Sequence, residues 1–299
     1  MNARPPVIPA IVFAYARPRH LARLLDCLRG EQVPLIYAFA DGAKGPDDAG
    51  AVAEVRATLR GVDWCELRLT ERPANCGLGK NILQGVTEVA AQHEAFVAWE
   101  DDLVCVPGTY AWMTAALRHF QHDPRIFSVS GWSHPRVRPV SAAGRPYCDA
   151  RAESWSWGGY ARAWSGMPAQ NALEKMAALQ ARGIDPETCG CDLPAMARQE
   201  AGRNLWAVRW LYHHLLHDGL CLRPGESLVD HAGFDAAATN ATAAAGWSHD
   251  ALPARAEIPA AWPEPVENPD CRRLWRAAAA AEAGGPWRRL LQRVKRRLE

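Results

Sequence analysis

The sequence predicts an α/β fold, a mostly parallel central sheet with helices on both faces. Three observations predict it. Short apolar runs alternate with segments of helical periodicity through residues 8–100, in the order β-α-β-α-β-α-β. Those runs are hardly broken by polar residues, as expected of strands covered on both faces. The chain is 299 residues long, with 48% hydrophobic and 22% charged residues, enough to bury a sizeable core and to exclude disorder for most of its length.

Residues 8–15 (IPAIVFAY) read as the first strand, and the next segment places Leu21, Leu24, Leu25 and Leu28 at helical spacing. Residues 34–40 form a second strand ending at Asp41-Gly42. A Gly45-Pro46 loop then opens a helix carrying Val52, Val55 and Leu59. Residues 64–69 alternate as a third strand. A glycine-containing loop follows and opens a helix with Ile82, Val86 and Val89, and residues 95–99 form a fourth strand that runs straight into Glu100, Asp101 and Asp102.

The second half is less regular. Pro107 starts a helix with Trp112, Leu117 and Phe120, and residues 126–130 are a strand. Residues 132–151 read as a long loop, 154–159 (SWSWGG) as a Trp/Gly turn before a short helix, and 184–194 as loop. Residues 205–216 read as an amphipathic helix whose His213, His214 and His217 form a polar face, and 219–222 as a short strand. Over 287–299, Trp287, Leu290, Leu291, Val294 and Leu298 keep helical spacing among arginines and a lysine. Such a basic amphipathic helix either lies on an anionic membrane surface or docks on the body of the protein.

Composition narrows the function. Lys and Arg number 34 against 33 acids, a net charge of +1, which excludes a globally basic nucleic-acid binder. Nine scattered cysteines argue against a disulfide framework and for a reducing compartment. No apolar stretch approaches the ~20 residues that span a bilayer, and the first residues lack a signal-peptide core. The expected location is cytoplasmic, including the periphery of the inner face of the cell membrane.

Polar clusters sit at the carboxyl ends of all four predicted strands, at residues 15–17, 41–44, 72–80 and 100–102, and should converge on one crevice. The acidic triplet suits Mg²⁺ or Mn²⁺ bound through one or two carboxylates, or else is a solvated turn opening the next helix. Asp41 can accept from a ribose or base, or simply close an Asp-Gly turn. The segment from Asn75 to Lys80 offers backbone N–H groups and a cation to a phosphate, or caps a helix through Asn75. It lacks Walker spacing. Trp132, Trp155 and Trp157 are candidate walls for a sugar ring, or core residues. Cys189 and Cys191 lack the spacing and second pair of a zinc site.

Taken in order, AYARP, ADG, ERPANCGLGKNI and FVAWEDDL resemble the GT-A nucleotide-sugar glycosyltransferases. The likeness is to bacterial family-2-like sugar transferases and the N-acetylglucosaminyltransferase that initiates complex N-glycans. RIFSVSGW, SWSWGG and LWAVRW…RPGESLV extend it over about residues 8–240. The resemblance implies a GT-A (Rossmann-like) fold and metal-dependent transfer from a nucleoside diphosphate sugar to a glycan or lipid-linked acceptor, in bacterial surface polysaccharide synthesis. Residues 1–125 are expected to form the nucleotide-sugar half and 126–250 the acceptor half, with 251–286 a linker or extension before the basic helix. Asp102 would hold Mn²⁺ or Mg²⁺, with His231 a late metal or diphosphate ligand. Asp101 would lie by the ribose and Glu100 near the base or a metal-bound water. Tyr15, Arg17, Asp41, Asn75, Gly79 and Lys80 would surround the nucleotide. That family carries an aspartate base after the SVSGW strand. Here the segment reads Gly-Trp-Ser-His, which makes His134 one candidate base, with Glu153 and Asp192 as others. Inversion is expected, and retention stays open if none of the three acts. A nucleotidyltransferase, which usually has a glycine-rich loop after its first strand, and a non-catalytic carbohydrate-binding protein are the rivals.

Overall fold

The computed structural model describes residues 6–203, 205–231 and 251–282. Strands β1 (Ala10–Ala14), β2 (Leu35–Ala40), β3 (Glu66–Glu71) and β4 (Ala95–Glu100) alternate with helices α1 (Pro18–Gly30), α2 (Pro46–Arg60) and α3 (Leu78–Ala90). All four strands are parallel and run in the spatial order 3-2-1-4. The chain therefore steps outward from β1 through β2 to β3, then returns to the other side of β1. That reversal opens a crevice between the carboxyl ends of β1 and β4. Helix α1 starts with proline in its first turn and buries the four predicted leucines. Helix α3 lies close over the sheet because residue 85 is glycine: a Cβ there would sit 2.8 Å from the rings of Phe13 and Phe39.

The remaining elements are β5 (Leu103–Cys105), α4 (Thr109–His119), β6 (Ile126–Ser130), β7 (Tyr147–Asp149), β8 (Trp157–Tyr160), α5 (Ala161–Trp164), α6 (Ala172–Ala181), α7 (Leu193–Arg203), α8 (Ala207–Leu216), β9 (Leu220–Arg223), β10 (Val229–His231) and α9 (Cys271–Glu282). They extend the sheet to eight strands, in the order β3-β2-β1-β4-β8-β6-β9-β7. Strand β8 is antiparallel to β4 and β6, β9 is parallel to β6, and β7 closes the edge antiparallel to β9. Strands β5 and β10 form a separate two-stranded ribbon.

Several expectations change. The Trp/Gly turn is in fact β8, deep in the sheet. Its glycines serve close packing, since a Cβ on Gly158 would stand 2.9 Å from Leu117 and 3.0 Å from the Phe96 carbonyl. The loop expected over 132–151 contains β7. Residues left as linker or extension carry α9, whose Trp275 is 1% exposed in a second core with Trp132, Val137 and Tyr147. The basic helix expected over 287–299 lies outside the described residues. Among the described residues, no helix is long and apolar enough to cross a membrane, and all nine cysteines are free.

The polar face expected on α8 is also overturned. His213 and His214 are buried. His214 donates from Nδ1 to the Trp210 carbonyl (3.0 Å) and accepts at Nε2 from the Ser128 hydroxyl (2.8 Å), so it is a neutral core residue. Burial pulls its pKa down to about 3. An unfolded histidine takes up its proton near pH 6.5, so this residue weakens the fold as pH falls below that value. Between pH 6.5 and 4, stability of a His214→Asn variant should fall less steeply than that of the native chain, by about 1.4 kcal/mol per pH unit. Urea midpoints across that range test this, and parallel slopes would contradict it. Carboxylates with raised pKa act in the opposite direction in both chains and cancel in the comparison.

Candidate active site

The crevice at the switch point is closed by contacts between the ends of β1 and β4. The Tyr15 backbone N–H donates to Asp101 Oδ2 (3.1 Å), and Arg17 Nη1 meets Asp102 Oδ2 at 2.5 Å. The β5–β10 ribbon supplies the third side. Its register sets His231 opposite Leu103, next to Asp102, and His231 Nε2 faces Asp102 Oδ2 at 3.5 Å. A residue 129 positions along the chain from Asp102 is thus delivered by three residues of antiparallel pairing.

Charge in this crevice is unbalanced. Burial, then repulsion from Asp102 and Asp101, pushes Glu100 up to about 8. Burial, then Asp102, pushes Asp101 up to about 7. Both shifts mark a place where added positive charge is stabilised. Asp102 Oδ1 is buried without a hydrogen-bond partner. A buried acceptor left unpaired is costly, so the atom marks a vacancy in the coordination of the chain's own groups. The donor set fits a divalent cation of the Mg²⁺ or Mn²⁺ kind, which takes one or two protein ligands and leaves its other positions to phosphate oxygens and water. Among the described residues, no group of three His, Cys, Asp or Glu side chains is placed to hold a metal ion by itself.

Next to this pair, the Tyr15 hydroxyl bonds the Asp48 carboxylate, which also accepts from the backbone N–H of Lys44 (3.0 Å) and Gly45 (2.9 Å). Lys44 Nζ lies 5.3 Å from the centre of the Tyr15 ring. An aromatic face and a cation thus flank the acidic cluster.

The other sequence candidates fall into three groups. Asp41 is buried, and its carboxylate accepts from Gly42 N (2.8 Å), Cys76 N (2.9 Å), Gly77 N (3.0 Å) and Asn75 Nδ2 (3.2 Å). Four donors fill the lone-pair directions of a carboxylate, so Asp41 and Asn75 staple the 75–77 loop to β2 instead of offering acceptors to a ligand. Asn75 is no helix cap; Gly77, at φ 81°, precedes α3. Gly79 and Lys80 line a separate cavity.

Of the three candidate bases, Glu153 lies two residues before a side chain that touches the crevice. Its neighbour Trp155 packs on His231 at 4.7 Å between ring centres. Its Oε1 accepts from Ser154 N (2.9 Å) and its Oε2 lies 3.5 Å from Arg223 Nη1. His134 is 1% exposed, accepts at Nδ1 from Arg136 N (3.0 Å) and donates from Nε2 to Glu282 (3.2 Å). It is sealed between Trp132 and Trp275, so it has no route to a substrate. Asp192 pairs with Arg151 (3.2 Å), whose side chain also reaches the Cys189 carbonyl. Of the tryptophans, Trp155 is half-buried. Trp132 lies in the second core, and Trp157 packs among Phe96, Trp164, Trp206 and Trp210.

Sequence reasoning missed Arg223 and Asp149. Both side chains are 0% exposed and pair at 2.8 Å. Arg223 also donates to the Arg151 carbonyl (2.8 Å) and the Trp132 carbonyl (3.2 Å), and Trp275 Nε1 donates to Asp149 (2.7 Å). The only signal in the sequence was an arginine directly after an apolar strand.

The 3-2-1-4 strand order, the acidic strand end at the switch point and the antiparallel strand beyond it decide the fold. The fold is GT-A-like. No family model matches the sequence, and no curated protein does. Matches among solved structures are remote. A mannosyltransferase from Pyrobaculum calidifontis, solved with GDP-Man and Mn²⁺, shares 17% identity over 67% of this chain and 54% of its own, with a TM-score of 0.40. TarS of S. aureus shares 11% identity over 74% and 59%, with a TM-score of 0.41. A UDP-glucose pyrophosphorylase solved with UDP-glucose shares 12% identity over 55% and 81%, with a TM-score of 0.31. This chain thus spans little more than half the length of the first two. The GT-A-like sheet places Asp102, Arg17 and His231 together at its carboxyl edge, with Glu153 and Trp155 on the adjoining loop.

Proposed function

We propose that the chain is a metal-dependent glycosyltransferase that moves a sugar from a nucleoside diphosphate sugar to a glycan or lipid-linked acceptor. The observation that carries this reading is the buried, unpaired Asp102 Oδ1 beside His231 in a crevice crowded with carboxylates. Asp102 and His231 would hold Mn²⁺ or Mg²⁺, which neutralises charge on a departing diphosphate when bound. Tyr15 and Lys44 offer a ring face and a cation to the nucleotide. Arg17 keeps the Asp102 carboxylate oriented and partly compensates the triplet. As the acceptor hydroxyl oxygen bonds the anomeric carbon and the carbon–oxygen bond to the diphosphate breaks, Glu153 takes the hydroxyl proton, giving inversion. Trp155 walls the acceptor side. Surface polysaccharide synthesis and a seat at the inner membrane face complete the proposal, with the segment 287–299 as the anchor.

Calorimetry with UDP, GDP and CMP, with and without Mn²⁺, provides the test. Tight binding of a nucleoside diphosphate only with metal is expected, and absence of nucleotide binding would refute the proposal. Pyrophosphate release from a nucleoside triphosphate and a sugar phosphate would instead identify a nucleotidyltransferase. Glu153→Gln should lower transfer by about 10²–10⁴-fold with donor affinity kept, the range for loss of a general base. Near-normal turnover would remove Glu153 from that role.

A further inference from the structure

A cavity of about 270 Å³ lies between α3 and the helical layer formed by α6, α7 and α8. Its floor includes buried Gly79, Glu200 and Trp206, and Lys80, Arg198 and Arg209 stand around it. The topology places two of the helices that line it. Helix α3 follows β3, so its first turn lies at the carboxyl edge of the sheet. Helix α8 ends just before β9 begins, and β9 runs with β6 in the direction of β1 to β4, so the start of α8 lies at that edge as well. The helix starts that line the cavity, with Gly79, Lys80 and Arg209, therefore lie toward the same edge of the sheet as Asp102.

Its charge is one-sided. Three cations face one carboxylate, and that carboxylate is already engaged: Glu200 accepts from Arg209 Nε (2.6 Å) and from the Ala172 N–H at the start of α6 (2.6 Å). Lys80 and Arg198 have no hydrogen-bond or ion-pair partner among the described residues. Behind the wall, buried Lys175 lies 3.4 Å from His213 and adds further positive charge. Burial, then Arg209, pulls the Lys175 pKa down to about 8. With its one carboxylate occupied, the cavity has no ligand for a metal and an excess of donors for an anion. Its volume is just under the roughly 300–1,000 Å³ of ordinary ligand pockets, so it admits one ring, not an oligosaccharide. Trp206 contributes an apolar wall suited to a sugar face.

We propose that this cavity is a metal-independent site for an anionic saccharide, a single sugar bearing a phosphate or a carboxylate. Oxyanion recognition by Lys80, Arg198 and Arg209 is common to both. That the saccharide is part of the acceptor rests on the transferase reading; the binding site does not.

Calorimetry on the full chain, with a chelator and at low ionic strength, tests it with glucose 1-phosphate, glucuronic acid and glucose as probes. Binding of at least one anionic probe is expected, with no binding of glucose; which anion binds identifies phosphate or carboxylate as the source. The Lys80→Ser/Arg198→Ser variant should bind at least tenfold more weakly with an unchanged melting curve, and Arg198→Ser alone serves if the double variant does not fold. Arg198→Lys should restore part of the loss. No heat from either anion, or equal affinity in native and serine variants, would overturn the proposal. Sugar-anion binding without Mn²⁺-dependent nucleotide binding would leave this site standing and remove the transferase reading; the opposite pattern would remove this site alone.

Discussion

Asp102→Asn should abolish transfer and remove Mn²⁺-dependent nucleotide binding without harming the fold. Asparagine keeps the shape of the side chain and an oxygen that can still accept from Arg17, now at 2.5 Å from Oδ2. It removes the negative charge that, after burial, raises the pKa of Glu100 and Asp101, so repulsion at the end of β4 falls. Thermal stability should be unchanged or slightly higher. Losing a group that hydrogen-bonds a metal's ligand typically costs about 10–100-fold in affinity, so losing the carboxylate that would itself hold the ion should cost at least ~100-fold. Calorimetry with UDP or GDP at saturating Mn²⁺, together with a melting curve, measures both halves. Native-like turnover in the variant would end the assignment of Asp102 to the metal. Lost binding accompanied by a collapsed melting curve would make the residue structural.

Arg223→Met should be the most damaging single change to stability, at about 3–5 kcal/mol, the usual result of removing one partner of a buried ion pair. Methionine restores apolar volume but leaves the Asp149 carboxylate buried with one cation fewer. The Arg151 and Trp132 carbonyls also lose a donor. Trp275, 5.2 Å from the Arg223 guanidinium and bonded to Asp149, loses the group that its α9 helix packs over. Asp149→Asn in the same chain should recover part of the loss, since two neutral groups in a core cost less than one orphaned charge. Urea unfolding of the single and double variants gives the coupling. A single-variant loss under about 1 kcal/mol would show that the pair is solvated in solution.

These two sites differ in how far the sequence foretells them. The acidic triplet is local: an apolar strand ends and three carboxylates follow, so strand direction alone sends them to the carboxyl edge. The four leucines of α1 and the valines of α2 and α3 are equally local, because helical periodicity records which side faces the sheet. That the ends of β1 to β4 converge on one crevice follows from the same alternation, while their 3-2-1-4 order is set by the structure.

Contacts across long sequence separations were not legible. His231 reaches Asp102 through the β5–β10 register, and only the resemblance, not its own neighbourhood, marks it as a ligand to stand beside Asp102. Asp41 looks like a ligand acceptor by position, but the backbone of a loop more than thirty residues on occupies its oxygens. His134 stands where the resemblance puts a base, but Trp275 and Glu282 of α9 seal it, and an exposed-looking histidine cannot announce the helix that will cover it. His213 and His214 read as a polar face because periodicity counts polarity and cannot see that Ser128, Trp210 and Ala163 supply hydrogen-bond partners inside the core.

The sequence by itself therefore determined the α/β class, the parallel half of the sheet and the place of its acidic edge, because these depend on periodicity and strand direction. Tertiary structure decided which polar residues remain open to a ligand, because burial and saturation of donors and acceptors are set by partners far away in the chain.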